Sequence, residues 1–277
     1  MVEHPAGNTP PHTDTGTDTG AGAESGGTGA GTGADSGIGA DTDSGIGADT
    51  DSGIGADSDE RFHALLRSLR VWDCELPGID PDPAHAPADP LPLFREWLRE
   101  AAEAGVPEPH TMTLATADAS GDPNVRTLML HDADALGWHF ATHRGSRKGR
   151  ELADRPRAAL GFYWAGLGRQ VRVRGRVTEA GPEESAADLH RRSTGALAAA
   201  LVGHQSEVLA SYADLERASE AAWARAQEEP TAPVPSWTLY VLRPDEVEFF
   251  QGDARRRHVR INYRREGGGW VRELLWP

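Results

Sequence analysis

The chain holds one lysine and one cysteine in 277 residues. A single cysteine excludes a disulfide framework and a thiolate metal cage, and no metal centre is expected. Cys74 lies between Asp73 and Glu75. It has no electropositive activator there and reads as structural or incidental, not as a nucleophile. No apolar run has spanning length, and the N-terminus lacks the basic and apolar regions of a secretory leader. A cytoplasmic protein without membrane contact is therefore the expectation. Residues 1–58 contain no aromatic residue, no lysine and no arginine. They are mostly Gly, Ala, Ser, Thr and Asp, and near-copies of an eight-residue unit begin at Asp35, Asp43 and Asp51. Such a segment buries too little apolar surface to offset its ordering entropy, so a disordered acidic tail is expected over 1–58. The repeat period and glycine spacing do not fit a calcium-binding β-roll. Much of the net charge of −15 sits in this tail, so it says little about partners.

Residues 59–277 are long enough for one well-packed domain. Apolar residues Leu93, Phe94, Trp97 and Leu98 follow helical spacing after Pro90. From Thr111 the period becomes two, and strands are expected at Thr111 to Ala117, Asn124 to His131, Trp138 to Thr142, Ala158 to Trp164 and Gln170 to Thr178. In the last run Val171, Val173, Gly175 and Val177 alternate with Arg172, Arg174 and Arg176. That pattern is a half-buried antiparallel strand with one cationic face. Helices are expected at 182–192 and 206–229. A strand follows at Trp237 to Phe250, then a closing hairpin of Val259 to Tyr263 with Trp270 to Leu275 across Gly267-Gly268-Gly269. Many short sequential strands with a helical insertion predict a mainly β fold, a small antiparallel barrel with peripheral helices.

The lone lysine, Lys148, falls in Thr142-His143-Arg144-Gly145-Ser146-Arg147-Lys148-Gly149-Arg150. The segment reads as a strand, a tight turn, and a helix opening at Ser146, a good N-cap residue. Two cations in a first helical turn oppose the helix dipole unless an anion lies between them. A phosphate would supply that anion, and a solvated basic turn is the alternative.

Six blocks carry a family resemblance. They are Arg126-Thr127-Leu128-Met129-Leu130, Gly145-Ser146-Arg147-Lys148, Arg169-Gln170-Val171, His204-Gln205-Ser206, Phe250-Gln251-Gly252 and Arg256-x-His258-x-Arg260. In that order they resemble the pyridoxamine 5′-phosphate oxidase family over nearly all of residues 59–277. The resemblance implies a flavoprotein with an FMN-binding split β-barrel, homodimeric, its FMN at the subunit interface with both subunits contributing. It implies flavin contacts from Arg126, Leu128, Leu130, Ala141, Thr142, Arg147 and Lys148, and from Gln170, Gln205, Ser206, Phe250 and Arg260. Phe250 stands where the family usually has Trp.

The substrate side departs from the family. Members that oxidise phosphorylated B6 vitamers grip the substrate phosphate with Lys, Tyr, Arg and Ser; the matching positions here are His131, Asp188, Arg192 and Ala196. Only the Arg is kept, and Asp188 would place negative charge beside a phosphate. Arg256 and His258, which lie over the substrate ring in the family, are present; they are assigned to substrate orientation, with His258 a candidate proton acceptor. These losses resemble the subfamily that oxidises dihydrophenazine intermediates in phenazine biosynthesis.

The activity implied is hydride transfer from a reduced heterocycle to the flavin N5, with O2 as acceptor giving H2O2. A genuine pyridoxine/pyridoxamine 5′-phosphate oxidase and a non-catalytic flavin-binding module stay open as alternatives. A nucleic-acid surface on the arginine-rich strand is disfavoured by the acidic tail and by the absence of interleaved aromatics.

Overall fold

The computed structural model describes residues 52–72 and 75–277. Cys74 and residues 1–51 lie outside them. The chain divides into a unit ending at Ala64 and a unit of Leu65–Pro277. Helix α1, Ser52–Ser68, takes in the last residues of the segment expected to be a disordered tail; the rest of that segment lies outside the described residues. Phe62, Leu65 and Leu66 have helical spacing, and the last copy of the repeat runs straight into them.

Helix α2, Pro90–Glu103, starts where expected, with Asp89 accepting a hydrogen bond from the Leu91 N–H and Pro90 at the first helical position. Strands β1 (Thr111–Ala117), β2 (Pro123–Met129), β3 (Asp132–Asp134) and β4 (Gly137–His143) follow. Helix α3 (Arg147–Asp154) precedes β5 (Arg157–Trp164) and β6 (Arg169–Glu179). The helical insertion is α4 (Pro182–His190), α5 (Thr194–Val202) and α6 (Tyr212–Glu228); β7 (Trp237–Gln251), β8 (Val259–Glu266) and β9 (Gly269–Leu274) close the chain.

All nine strands form one antiparallel sheet in the order β2-β1-β5-β6-β7-β4-β3, with β8 on β7 and β9 on β8. Strand β7 organises it. Its first half pairs with β4, its second half with β8, and β6 runs along nearly all of it. A bulge between Arg174 and Gly175, opposite Pro244, lets this long pair bend. The sheet curls into a half-barrel filled by aromatic side chains. Phe94 of α2 meets Trp138 and Phe162 edge to face at 5.3 and 5.0 Å, and Trp97 meets Phe249 at 5.2 Å.

The expected alternation in β6 is present, with Val171, Val173 and Val177 buried and the three arginines exposed. The cationic face is not free, because Arg172 pairs with Glu248 and Arg174 with Glu246 across the ladder to β7. The helical insertion differs from expectation. The chain continues past α4 into α5, capped by Ser193, whose hydroxyl accepts from the Ala196 N–H. Helix α6 begins at Tyr212, not near 206, because Ser211 caps it and Ser206 is left-handed at φ +75°.

Phe94 is fully buried at the centre of this core. Phe94→Ala is expected to destabilise the protein by about 3–5 kcal/mol, measured by denaturant unfolding.

Candidate active site

The residues singled out above gather in three places. The first is the turn between β4 and α3. The Ser146 hydroxyl accepts from the Gly149 N–H, and a Cβ at position 149 would overlap the Arg144 carbonyl oxygen, so glycine is required there. This tight start buries Lys148. Its ammonium donates to Thr142 Oγ1 (3.2 Å) and Gln205 Oε1 (3.0 Å), both uncharged, and pairs with no carboxylate among the described residues. Burial, then the nearby Arg126 guanidinium, bring Lys148 down to about 8. Ser206 Oγ accepts from the Arg147 N–H at 3.1 Å. Arg126 lies on the half-buried face of β2 with Asn124 and Leu128. Leu130 follows that strand, and Ala141 is buried beside Thr142 on β4.

Sequence reasoning missed a residue at the centre of this cluster. Glu151, buried on α3, bonds Arg126 Nη2 (2.9 Å), Arg147 Nε (3.2 Å), Asn124 Nδ2 (3.0 Å) and Thr116 Oγ1 (2.5 Å). Burial alone would raise its carboxyl, but these donors hold it at about 2. The sequence signal was the i, i+4 spacing from Arg147.

The second place is the far end of β7. The ladder registers Gln170 beside Phe250 and Phe250 beside Arg260. Arg260 is held by Glu248 at 2.9 and 3.0 Å and also donates to the Trp276 carbonyl. His258 packs on Phe250, with ring centroids 5.1 Å apart. Its Nδ1 accepts from the Asp253 N–H at 3.0 Å. That bond assigns the neutral ring its proton on Nε2. In this geometry His258 presents an Nε2–H donor. Trp72, also missed from sequence, meets the His258 ring edge to face at 5.1 Å, and the Arg256 guanidinium lies 6.0 Å from the Trp72 ring. Both Trp72 and Arg256 are left-handed, at φ +57° and +65°.

The third place is a cavity of about 360 Å³ whose walls include His131, Glu184, Asp188, Arg191 and Arg192. Asp188 accepts from His131 Nδ1 at 2.9 Å and from Arg192 Nη2 at 2.8 Å. Burial would raise its carboxyl, but these two bonds outweigh burial and hold it at about 2. The Arg192 Nε is buried and has no partner. Ala196 does not line this cavity. It sits in the first turn of α5, its N–H bonded to Ser193.

The first and second places are set apart by the sheet. Thr142 registers with Thr238 and Gln170 with Phe250, near opposite ends of β7. At ~3.3 Å per residue, roughly 40 Å of strand separates them.

Residues 98–228 match the family described as pyridoxamine 5′-phosphate oxidase, and residues 237–277 match the pyridoxine 5′-phosphate oxidase C-terminal dimerisation region. A pyridoxine/pyridoxamine 5′-phosphate oxidase of Salinibacter ruber is 45% identical over 196 residues, covering 70% of this chain and 91% of that protein. The chain belongs to the pyridoxamine 5′-phosphate oxidase family. It is an FMN-dependent oxidase with the family's split-barrel fold. The crystal structure of PhzG from Burkholderia lata 383, in complex with tetrahydrophenazine-1-carboxylic acid, is 30% identical with a TM-score of 0.69, over 74% of this chain and 100% of that one. A pyridoxamine 5′-phosphate oxidase-related, FMN binding protein from Nostoc punctiforme shares the fold at 20% identity and a TM-score of 0.56, over 66% of this chain and 97% of that one. No helix among the described residues is long and apolar enough to cross a membrane.

The donor set around Lys148 fits the phosphate of FMN. Three cations and one buried carboxylate leave a net charge of +2, and an anion beside a buried ammonium bonded only to neutral oxygens would stabilise its charged form.

Asp188 also makes a prediction about acid stability. Its carboxyl is depressed in the folded state, so its contribution is present above the unfolded value near 4 and is lost as pH falls towards 2. Asp188→Asn should remove a contribution of the order of 2 kcal/mol from that window and flatten the acid limb of the stability curve. Urea unfolding at pH 2.5, 4 and 6 checks this.

Proposed function

We propose that two copies of the chain share each FMN. Arg126, Thr142, Arg147, Lys148, Gln205 and Ser206 of one would hold the phosphate end, and Gln170, Phe250 and Arg260 of the other the ring end. The reading is supported by the β7 spacing, since one small cofactor cannot bridge roughly 40 Å of strand. FMN, when bound, would supply the electron sink for a hydride leaving the substrate, with O2 as final acceptor and H2O2 as product. The chain's residues bind, orient and shield. Phe250 and Trp72 provide an apolar wall for a planar ring. Arg256 and the Nε2–H of His258 offer the polar contacts that orient it.

The substrate is a reduced heterocycle without a phosphate, dihydrophenazine-like in class. The observation that carries this reading is the bonding of Asp188, which engages both His131 and Arg192. A phosphate dianion there would meet a carboxylate at short range, and two unit charges ~4 Å apart repel by about 4 kcal/mol at an effective dielectric near 20. The Arg192 Nε is buried with no partner among the described residues, a donor that suits a ring-borne oxygen. The tetrahydrophenazine-1-carboxylic acid bound by the Burkholderia lata relative is a compound of this class. A second reading, oxidation of phosphorylated B6 vitamers, is favoured by the name of the Salinibacter ruber relative at 45% identity.

Two experiments test the proposal. In flavin titrations, Lys148→Ala and Arg147→Ala should each weaken FMN binding by about 1.5–3 kcal/mol. Because the unliganded Lys148 titrates at about 8 and a bound anion raises that value, FMN affinity should fall as pH rises above 8, by up to about tenfold per pH unit. Lys148→Ala should abolish this dependence; unchanged affinity in both variants would remove the assigned phosphate site.

For the substrate, oxygen uptake with pyridoxine 5′-phosphate should be slow or absent, and faster with a reduced phenazine. His131→Lys and Asp188→Tyr together should raise vitamer turnover, since the two missing contacts are expected to cost at least about tenfold in affinity. Efficient vitamer turnover by the unaltered protein decides for the second reading.

A further inference from the structure

We propose that Glu151 is a positioning residue for the cofactor phosphate, its one buried carboxylate fixing where the donors of Arg126 and Arg147 point. The inference rests on the assignment of FMN to the Lys148 cluster above. Glu151 is 4% exposed and belongs to the same short helix as Arg147 and Lys148. Its Oε2 takes Thr116 Oγ1 and Arg126 Nη2, from β1 and β2; its Oε1 takes Asn124 Nδ2 of β2 and Arg147 Nε, one helical turn back. The carboxylate thus ties α3 to the edge of the sheet and holds two guanidinium groups at once.

The geometry separates positioning from simple counter-charge. Arg126 is fully directed, with Nη2 on Glu151 and Nη1 on the Leu114 carbonyl and Thr116 Oγ1. Arg147 gives Glu151 only its Nε, and its terminal nitrogens make no hydrogen bond among the described residues. A guanidinium fixed at Nε has its remaining donors aimed in one plane, which is what bidentate phosphate recognition needs. Released from Glu151, the exposed Arg147 side chain regains several rotamers, and ordering it again on binding costs affinity. A carboxylate that only balanced charge would act the other way. Its removal would leave three uncompensated cations, and a phosphate would bind more tightly.

The test uses the full-length protein stripped of flavin and titrated with FMN and with riboflavin, which lacks the phosphate. Glu151→Gln is near-isosteric and keeps one acceptor; Glu151→Ala keeps none. Positioning predicts FMN affinity at least about tenfold weaker in Glu151→Gln and weaker still in Glu151→Ala, with riboflavin affinity unchanged within about twofold. If Glu151→Ala does not fold, the Gln variant carries the test alone. FMN affinity unchanged or increased would overturn the proposal in favour of counter-charge. Equal weakening of both flavins would overturn it in favour of a structural tie. Lys148→Ala serves as the control for the underlying reading. If it leaves FMN affinity intact, the phosphate lies elsewhere and both readings fail; if it weakens FMN while Glu151→Gln does not, only the role of Glu151 fails.

Discussion

Everything in the larger unit is arranged around the fifteen residues of β7. One continuous strand pairs with β6 on one side and shares its other side between β4 and β8. A strand this long stays in a small sheet only by bending, and the bulge at Arg174/Gly175 opposite Pro244 supplies the bend. The same length carries the two ends of the flavin set away from each other. The proposed sharing of each FMN between two copies rests on this strand geometry, and the match of residues 237–277 to a dimerisation region agrees with it.

A recurring electrostatic device accompanies this frame. Three buried carboxylates each hold two basic side chains: Glu151 holds Arg126 and Arg147, Asp188 holds His131 and Arg192, and Glu248 holds Arg172 and Arg260. In each case burial would raise the carboxyl, and the bonds from its partners bring it below the usual range. A buried carboxylate with satisfied bonds is tolerated, whereas one stripped of its partners is costly. Lys148 breaks the pattern, being a buried cation bonded only to neutral oxygens. The molecule thus concentrates uncompensated positive charge at one place, beside a helix start, and offers none of comparable burial in the Asp188 cavity.

Much of the fold was legible along the chain because its cues are local. Period-two runs located β1, β5, β6 and β7 within a residue or two, and Ser146 marked the start of α3 through its own side chain. Local cues failed where competing ones overlapped. The break between α4 and α5 depends on the Ser193 cap within an otherwise helical composition, and α1 begins within a glycine-rich repeat. Candidate residues including Arg126, Lys148, Gln205, Asp188 and His258 were also named, through the family resemblance of the six sequence blocks. What those residues touch was not legible. Arg126 and Glu151 are 25 positions apart, His131 and Asp188 are 57 apart, and Arg260 meets Glu248 across a hairpin. Such pairs exist only once strand register brings them together, and a one-residue slip would turn each side chain to the opposite face. Residue type and spacing were enough to establish which groups are available and which local elements carry them. Their charge balance and the pairing of His131 with Asp188 came from long-range packing, because hydrogen bonds and burial act between neighbours in space.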